Sequence, residues 1–124
     1  KAHEAKTRGD ATMTVWGSGT PMREFLHVDD MAGATIYAMQ HYEDEQTINV
    51  GTGEDVTIRE LVETVVRVVG FGGRLEWDTS KPDGTPRKLL DVSRMRELGW
   101  TAGISLEAGL RSTYDWYLRS GQAL

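Results

Sequence analysis

Cysteine is absent from these 124 residues, which excludes a disulfide scaffold and thiolate metal sites and fits a reducing cytoplasm. Long apolar runs are absent too: none approaches the roughly 18 residues that a membrane-spanning helix needs, so no membrane partner is expected. Nothing at the start reads as a signal peptide. Positive charge is scarce, with 14 Lys and Arg against 19 Asp and Glu, a net charge of −5 and a pI near 5.1. A nucleic-acid-binding face needs a basic patch or stripe, so nucleic acid is not an expected partner. His3, His27 and His41 lack metal-ligand spacing with one another or with a carboxylate pair, and no metal is expected.

What is present fits one soluble globular domain or less, with 39% hydrophobic and 27% charged residues. Lys1 to Arg8 are helix formers closing at Gly9, with cations where a helix C-terminus favours them. A helix that ends so early predicts that the chain is a piece of something longer. Thr12 to Trp16 is β-branched and aromatic, hence a predicted strand; a Gly17–Pro21 turn and a second strand through Arg23 to His27 follow. Asp29 or Asp30 then reads as a helix N-cap. Met31, Ala34, Thr35, Ala38 and Met39 have helical spacing. Thr47–Val50 reads as a short strand ending in a Gly51-Thr52-Gly53 turn. Thr57-Ile58-Arg59-Glu60 matches a capping box, and the apolar stripe after it stops at Gly70. Leu75–Trp77 reads as a strand, Asp91 to Leu98 as a short helix, and Ser105 as the cap of a final helix. Short strands alternating with helices point to an α/β or α+β layered fold.

Two loops carry the chemistry. Trp16-Gly17-Ser18-Gly19-Thr20-Pro21-Met22-Arg23-Glu24-Phe25-Leu26-His27-Val28-Asp29-Asp30 is a turn running into an apolar segment with one arginine and one histidine. Far downstream, Lys81-Pro82-Asp83-Gly84-Thr85-Pro86-Arg87-Lys88 is the densest group of cations in an acidic chain. Arg23, Arg87 and Lys88, joined by Lys1, could bind a diphosphate through charge-assisted hydrogen bonds. The alternative for each is ordinary solvated surface charge. Trp16 is either a stacking surface for a base or a core anchor; Trp77, Trp100 and Trp116 read as core or interface residues. His27 reads as a strand-end residue bonded to its surroundings. Asp29 and Asp30 could be paired acids, though capping suits their position better.

Dinucleotide chemistry has little support among these residues. Gly51-Thr52-Gly53 resembles half of a dinucleotide fingerprint, but Val56 stands where a third glycine would fall. Glu54 and Asp55 would also repel a pyrophosphate at that helix start. A nicotinamide-dependent oxidoreductase that uses a tyrosine as acid or base needs a lysine four residues on, to lower the tyrosine's pKa. Here Tyr37 is followed at that spacing by His41, Tyr42 by Gln46, Tyr114 by Leu118 and Tyr117 by Gly121. None fits.

At Trp16–Asp30, Asn49–Gly53 and Lys81–Asp91 the chain resembles the C-terminal part of the GDP-L-fucose synthase family, a branch of the extended short-chain dehydrogenases. The Arg-x-Phe-x-His-Val-Asp-Asp and Asn-Val-Gly segments are shared by many nucleotide-sugar enzymes. The pairing of Trp-Gly-Ser-Gly-Thr-Pro-Met-Arg-Glu-Phe with Lys-Pro-Asp-Gly-Thr-Pro-Arg-Lys-Leu-Leu-Asp is much narrower. The resemblance implies a C-terminal GDP-sugar-binding domain over residues 1–124, a preceding Rossmann domain that binds NADP(H), and a homodimeric cytoplasmic parent. It implies epimerisation at two sugar carbons followed by hydride delivery to a 4-keto group. Lys1, Trp16, Arg23, Asp83 and Lys88 match its substrate-binding positions, with Lys88 near the diphosphate and Asp83 accepting from guanine or ribose donors. The family's catalytic Ser, Tyr and Lys and its nicotinamide contacts would lie upstream of Lys1. This chain alone is therefore expected to be inactive and to bind GDP weakly. Two alternatives stay open: the equivalent domain of an enzyme acting on another nucleotide sugar, and a stand-alone nucleotide-binding module.

Overall fold

A computed structural model describes residues 1–120. In chain order the first half holds α1 (Ala2–Arg8), β1 (Thr12–Trp16), β2 (Met22–Arg23), α2 (Val28–His41) and β3 (Val56–Thr57). The second half holds α3 (Ile58–Val69), β4 (Arg74–Asp78), β5 (Arg87–Lys88), α4 (Ser93–Leu98) and α5 (Leu106–Ser120). The architecture is mixed α/β with two small sheets.

In the first sheet β1 and β4 run parallel, in register from Thr12 opposite Arg74 to Trp16 opposite Asp78. Strand residues alternate between faces, so β1 buries Met13 while Thr14 and Trp16 face outward. Met13 packs with Ala5 of α1 and with Phe71, flanked by Val15, Leu75 and the α3 residues Val62 and Val66. The α3 stripe predicted from sequence thus closes this core, and its capping box forms in full. Glu60 N donates to Thr57 Oγ1 at 3.1 Å, and Thr57 N donates to Glu60 Oε2 at 2.7 Å. Gly9 and Gly70 end α1 and α3 with φ of 70° and 73°, the left-handed backbone that favours glycine.

In the second sheet the order is β3-β2-β5, with β2 central, antiparallel to β3 and parallel to β5. The predicted strand to His27 stops at Arg23. His27 serves instead as the N-cap of α2, its Nδ1 accepting from Asp29 N at 3.2 Å. Neither Asp29 nor Asp30 is the cap. Asp30 reaches across the molecule, its Oδ2 accepting from Gly103 N (3.1 Å) and Ile104 N (2.9 Å). Residues 47–50 form no strand: the Thr47 carbonyl accepts from Arg94, and the Asn49 amide donates to the Asp91 carbonyl. Asp91 stays outside α4, its Oδ1 accepting from Ser93 N at 3.0 Å. Ser105 does cap α5, accepting from Ala108 N at 3.3 Å.

Helix α2 forms where the spacing predicts it. Of the residues that carry that spacing, Ala34 is fully buried and Ala38 partly so, whereas Met31, Thr35 and Met39 face outward. Both faces of α2 are apolar, and spacing alone does not say which one turns inward. Met95 of α4 and Val92 add further buried side chains, and Trp116 of α5, expected in a core or interface, lies exposed. No helix among the described residues is long and apolar enough to cross a membrane.

Candidate nucleotide-sugar site

Strand pairing brings the two distant loops together. Arg23 of β2 lies opposite Lys88 of β5 in the parallel ladder, and residues opposite one another project from the same face. The Arg23 guanidinium donates to the Met22 carbonyl at 2.6 Å. It also lies beside Gly84 of the 81–88 loop, where an added Cβ would sit 3.2 Å from Nη2. Among the described residues neither Arg23 nor Lys88 makes an ion pair.

Arg87 behaves differently from its neighbour. As the next residue along β5 it projects from the opposite face and reaches over β2 to Asp55, with Nε donating to Oδ2 at 2.6 Å and Nη2 to Oδ1 at 3.1 Å. The guanidinium holds the Asp55 carboxyl below its ordinary value, and Asp55 in turn raises the Arg87 pKa. The Asp55 side chain is only 6% exposed, so this pair is a fixed structural link. The sequence grouped Arg87 with the phosphate-binding cations; the sheet separates it from them.

Beside Arg23 opens a cleft of about 330 Å³ lined also by Phe25, Thr52, Glu54, Val56 and residues 102–106. Trp16 is 68% exposed, which decides against a core anchor, and the Lys81 ammonium lies 5.7 Å from its ring centroid. Asp83 fastens its loop to the turn after Trp16. Ser18 N donates to its Oδ1 at 2.9 Å and Ser18 Oγ to its Oδ2 at 2.6 Å, bonds that lower its pKa. Both oxygens are thus already engaged, each keeping a further lone pair for a ligand donor. Lys1 Nζ donates to the Thr14 carbonyl of β1 at 2.5 Å.

Sequence reasoning overlooked Glu24 and read Asp30 as a helix cap or paired acid; the carboxylates of both bond backbone N–H groups of a cleft wall. A signal for Glu24 lies in Gly51, where any side chain would collide with its carboxylate. The Gly51–Gly53 turn does not fit a dinucleotide. Gly53 N already donates to Glu24 Oε1 at 2.6 Å and Glu54 N to Thr52 Oγ1 at 3.2 Å, so a pyrophosphate would meet carboxylates where it needs free N–H groups. No cluster of His, Asp or Glu among the described residues is placed to hold a metal ion.

Residues 1–51, which include Trp16 and Arg23, match the NAD dependent epimerase/dehydratase family. Two GDP-L-fucose synthases are similar along 95% of the chain, that of Escherichia coli at 58% identity and synthase 1 of Arabidopsis thaliana at 55%. The family match is thus carried by the first 51 residues, and the likeness to the two synthases runs on along nearly the whole chain. Of these two relatives the chain spans 40% and 36% of the length. A GDP-L-fucose synthetase structure from Naegleria fowleri superposes on 99% of the chain with a TM-score of 0.92 at 28% identity, and the chain covers 38% of it. A likeness this close to one member's structure fits the family match and the mixed α/β build alike.

Proposed function

We propose that this chain is the nucleotide-sugar-binding part of an NADPH-dependent epimerase/reductase that converts GDP-4-keto-6-deoxy-D-mannose to GDP-L-fucose. The observation that carries the proposal is the Arg23–Lys88 pair: two cations without carboxylate partners, opposite one another on one sheet face, with Arg23 lining an open cleft. A diphosphate suits them, since an arginine fork holds two oxygens while a lysine acts as a point charge. Exposed Trp16 offers its ring to the nucleoside, Lys1 is held at the Thr14 carbonyl two residues before it, and Asp83 holds the loop shut while keeping acceptor capacity. The GDP-L-fucose synthases similar to it support guanine as the base.

The whole reaction belongs to a longer protein. NADP(H) would be bound by a separate Rossmann domain carrying the catalytic Ser, Tyr and Lys, in a cytoplasmic homodimeric parent; residues 1–124 alone turn nothing over. Supporting this, α2 leaves Val28, Met31, Ile36 and Met39 exposed along one apolar stripe, a surface suited to covering by the rest of such a protein. The test is a titration of the chain with GDP-, UDP- and dTDP-sugars, read by the Trp16 indole signal, beside an NADPH-oxidation assay. GDP-sugars should bind weakly and in preference to the others, with no NADPH oxidised. Equal response to all three nucleotides would remove the guanine assignment, and turnover by the chain alone would remove the division of labour.

A further inference from the structure

The structure assigns Glu24 as the positioning residue of the proposed diphosphate site: its carboxylate sets the spacing between Arg23, Lys88 and the 52–54 wall of the cleft. The inference rests on the nucleotide-sugar reading and deepens it.

Backbone pairing alone holds the two cations poorly. Strand β2 pairs over only two residues with each neighbour, Met22 and Arg23 opposite Thr57 and Val56 on one side and Arg87 and Lys88 on the other. Ladders this short are marginal on their own. Directly after Arg23 the pattern is continued by a side chain. Glu24 Oε1 accepts from Gly53 N at 2.6 Å and from Thr52 Oγ1 at 3.2 Å, while Oε2 accepts from Leu90 N at 3.1 Å. One half-buried carboxylate thus joins the strand that carries Arg23, the segment just beyond Lys88 and the turn that forms the cleft wall.

Two further features support a dedicated role. Gly51 passes so close that a side chain there would have to push the Glu24 carboxylate out of its bonds. Among the described residues Glu24 also makes no ion pair. A carboxylate next to a diphosphate site should repel the ligand. Using its lone pairs on N–H and O–H donors orders the site while leaving Arg23 and Lys88 free of carboxylate partners.

Glu24→Gln is the decisive variant because it keeps shape and volume but replaces one acceptor by an NH2 that faces an N–H donor. Titration of the chain with GDP should show affinity weakened about tenfold, the scale expected for losing a charge-assisted hydrogen bond that orders the site. In a Lys88→Ala background the same change should cost roughly twofold or less, since positioning acts through the cation already removed. Amide exchange at Gly53 and Leu90 should accelerate while the far-UV signal stays unchanged. Unaltered GDP affinity in Glu24→Gln overturns the inference. So does an equal loss with and without Lys88, which would make the carboxylate a stabiliser of the fold and nothing more. Should the unaltered chain fail to bind GDP, the nucleotide-sugar proposal falls instead; exchange rates at Gly53 and Leu90 then judge the latch, and unchanged rates overturn it.

Discussion

Arg87 and Lys88 are adjacent cations that a one-dimensional reading treats alike, yet the strand turns them to opposite faces. Arg87 meets Asp55, whereas Lys88 shares a face with Arg23. Substitution should separate them. Arg23→Ala and Lys88→Ala are each expected to weaken GDP binding about tenfold, near 1.4 kcal/mol, with little change in melting temperature. Arg87→Ala should do the reverse, lowering the melting temperature because it strands a carboxylate only 6% exposed, and leaving affinity within roughly twofold. Calorimetric titration and a thermal melt on the three variants check this; an equal loss of affinity in all three would mean that the sheet faces are misjudged. The difference was illegible in sequence because it depends on which strand lies alongside β5. Trp16 was left undecided for a similar reason, since exposure depends on what packs over a strand's end. Asp83 was placed by resemblance alone, and its bonds to Ser18 became visible only when loops 65 residues apart met.

Helix α3, whose signals are local, was read correctly. The α3 capping box depends on residues three apart, and both its reciprocal bonds form. Thr57→Ala should cost about 1 kcal/mol of stability, as such caps do. Gly19→Ala should cost more. Its φ is 80°, a backbone that costs a non-glycine residue about 1–2 kcal/mol. An added Cβ would also fall 2.6 Å from the Trp77 ring, which is itself covered by the Arg59 guanidinium at 4.2 Å. Chemical denaturation of both variants gives the order, and a smaller loss at Gly19 would show that the turn can relax. Elements with a distant cause were misread. Residues 47–50 have strand composition but no strand alongside, and their polar groups are met by Arg94 and the Asp91 carbonyl. Helix α2 has apolar residues on two faces, so periodicity placed the helix without orienting it.

Across the whole molecule the distant links are largely carboxylates. Asp55 ties β5 to the segment before β3, Asp83 ties the 81–88 loop to Ser18, and Glu107 ties α5 to Arg67 of α3. Hydrogen bonds from Arg87, from Ser18, and from Arg67 with Arg111 hold these three carboxyls below their ordinary values. Asp91 and Glu60 are lowered likewise by local bonds from Ser93 and Thr57. A carboxyl whose pKa is lower when folded contributes stability that is fully present above its unfolded value, 3.8 for Asp and 4.5 for Glu. That contribution is lost as pH falls through the lowered value, because the unfolded chain then binds protons more readily than the folded one. The melting temperature should therefore stay level from about pH 7 to about 5 and fall steeply below about 4.5. Apart from the shielded Asp55 carboxylate, exposure keeps each link weak by itself, so the effect is the sum of several and should shrink in high salt. Asp83→Asn, which cannot ionise, should start with a lower melting temperature and show a shallower acid decline, as one titrating link has been removed. A profile as steep as that of the unaltered chain would mean that the Ser18 bonds do not stabilise the folded loops, leaving strand pairing and the Glu24 and Asp55 bonds to hold the two halves of the proposed site together.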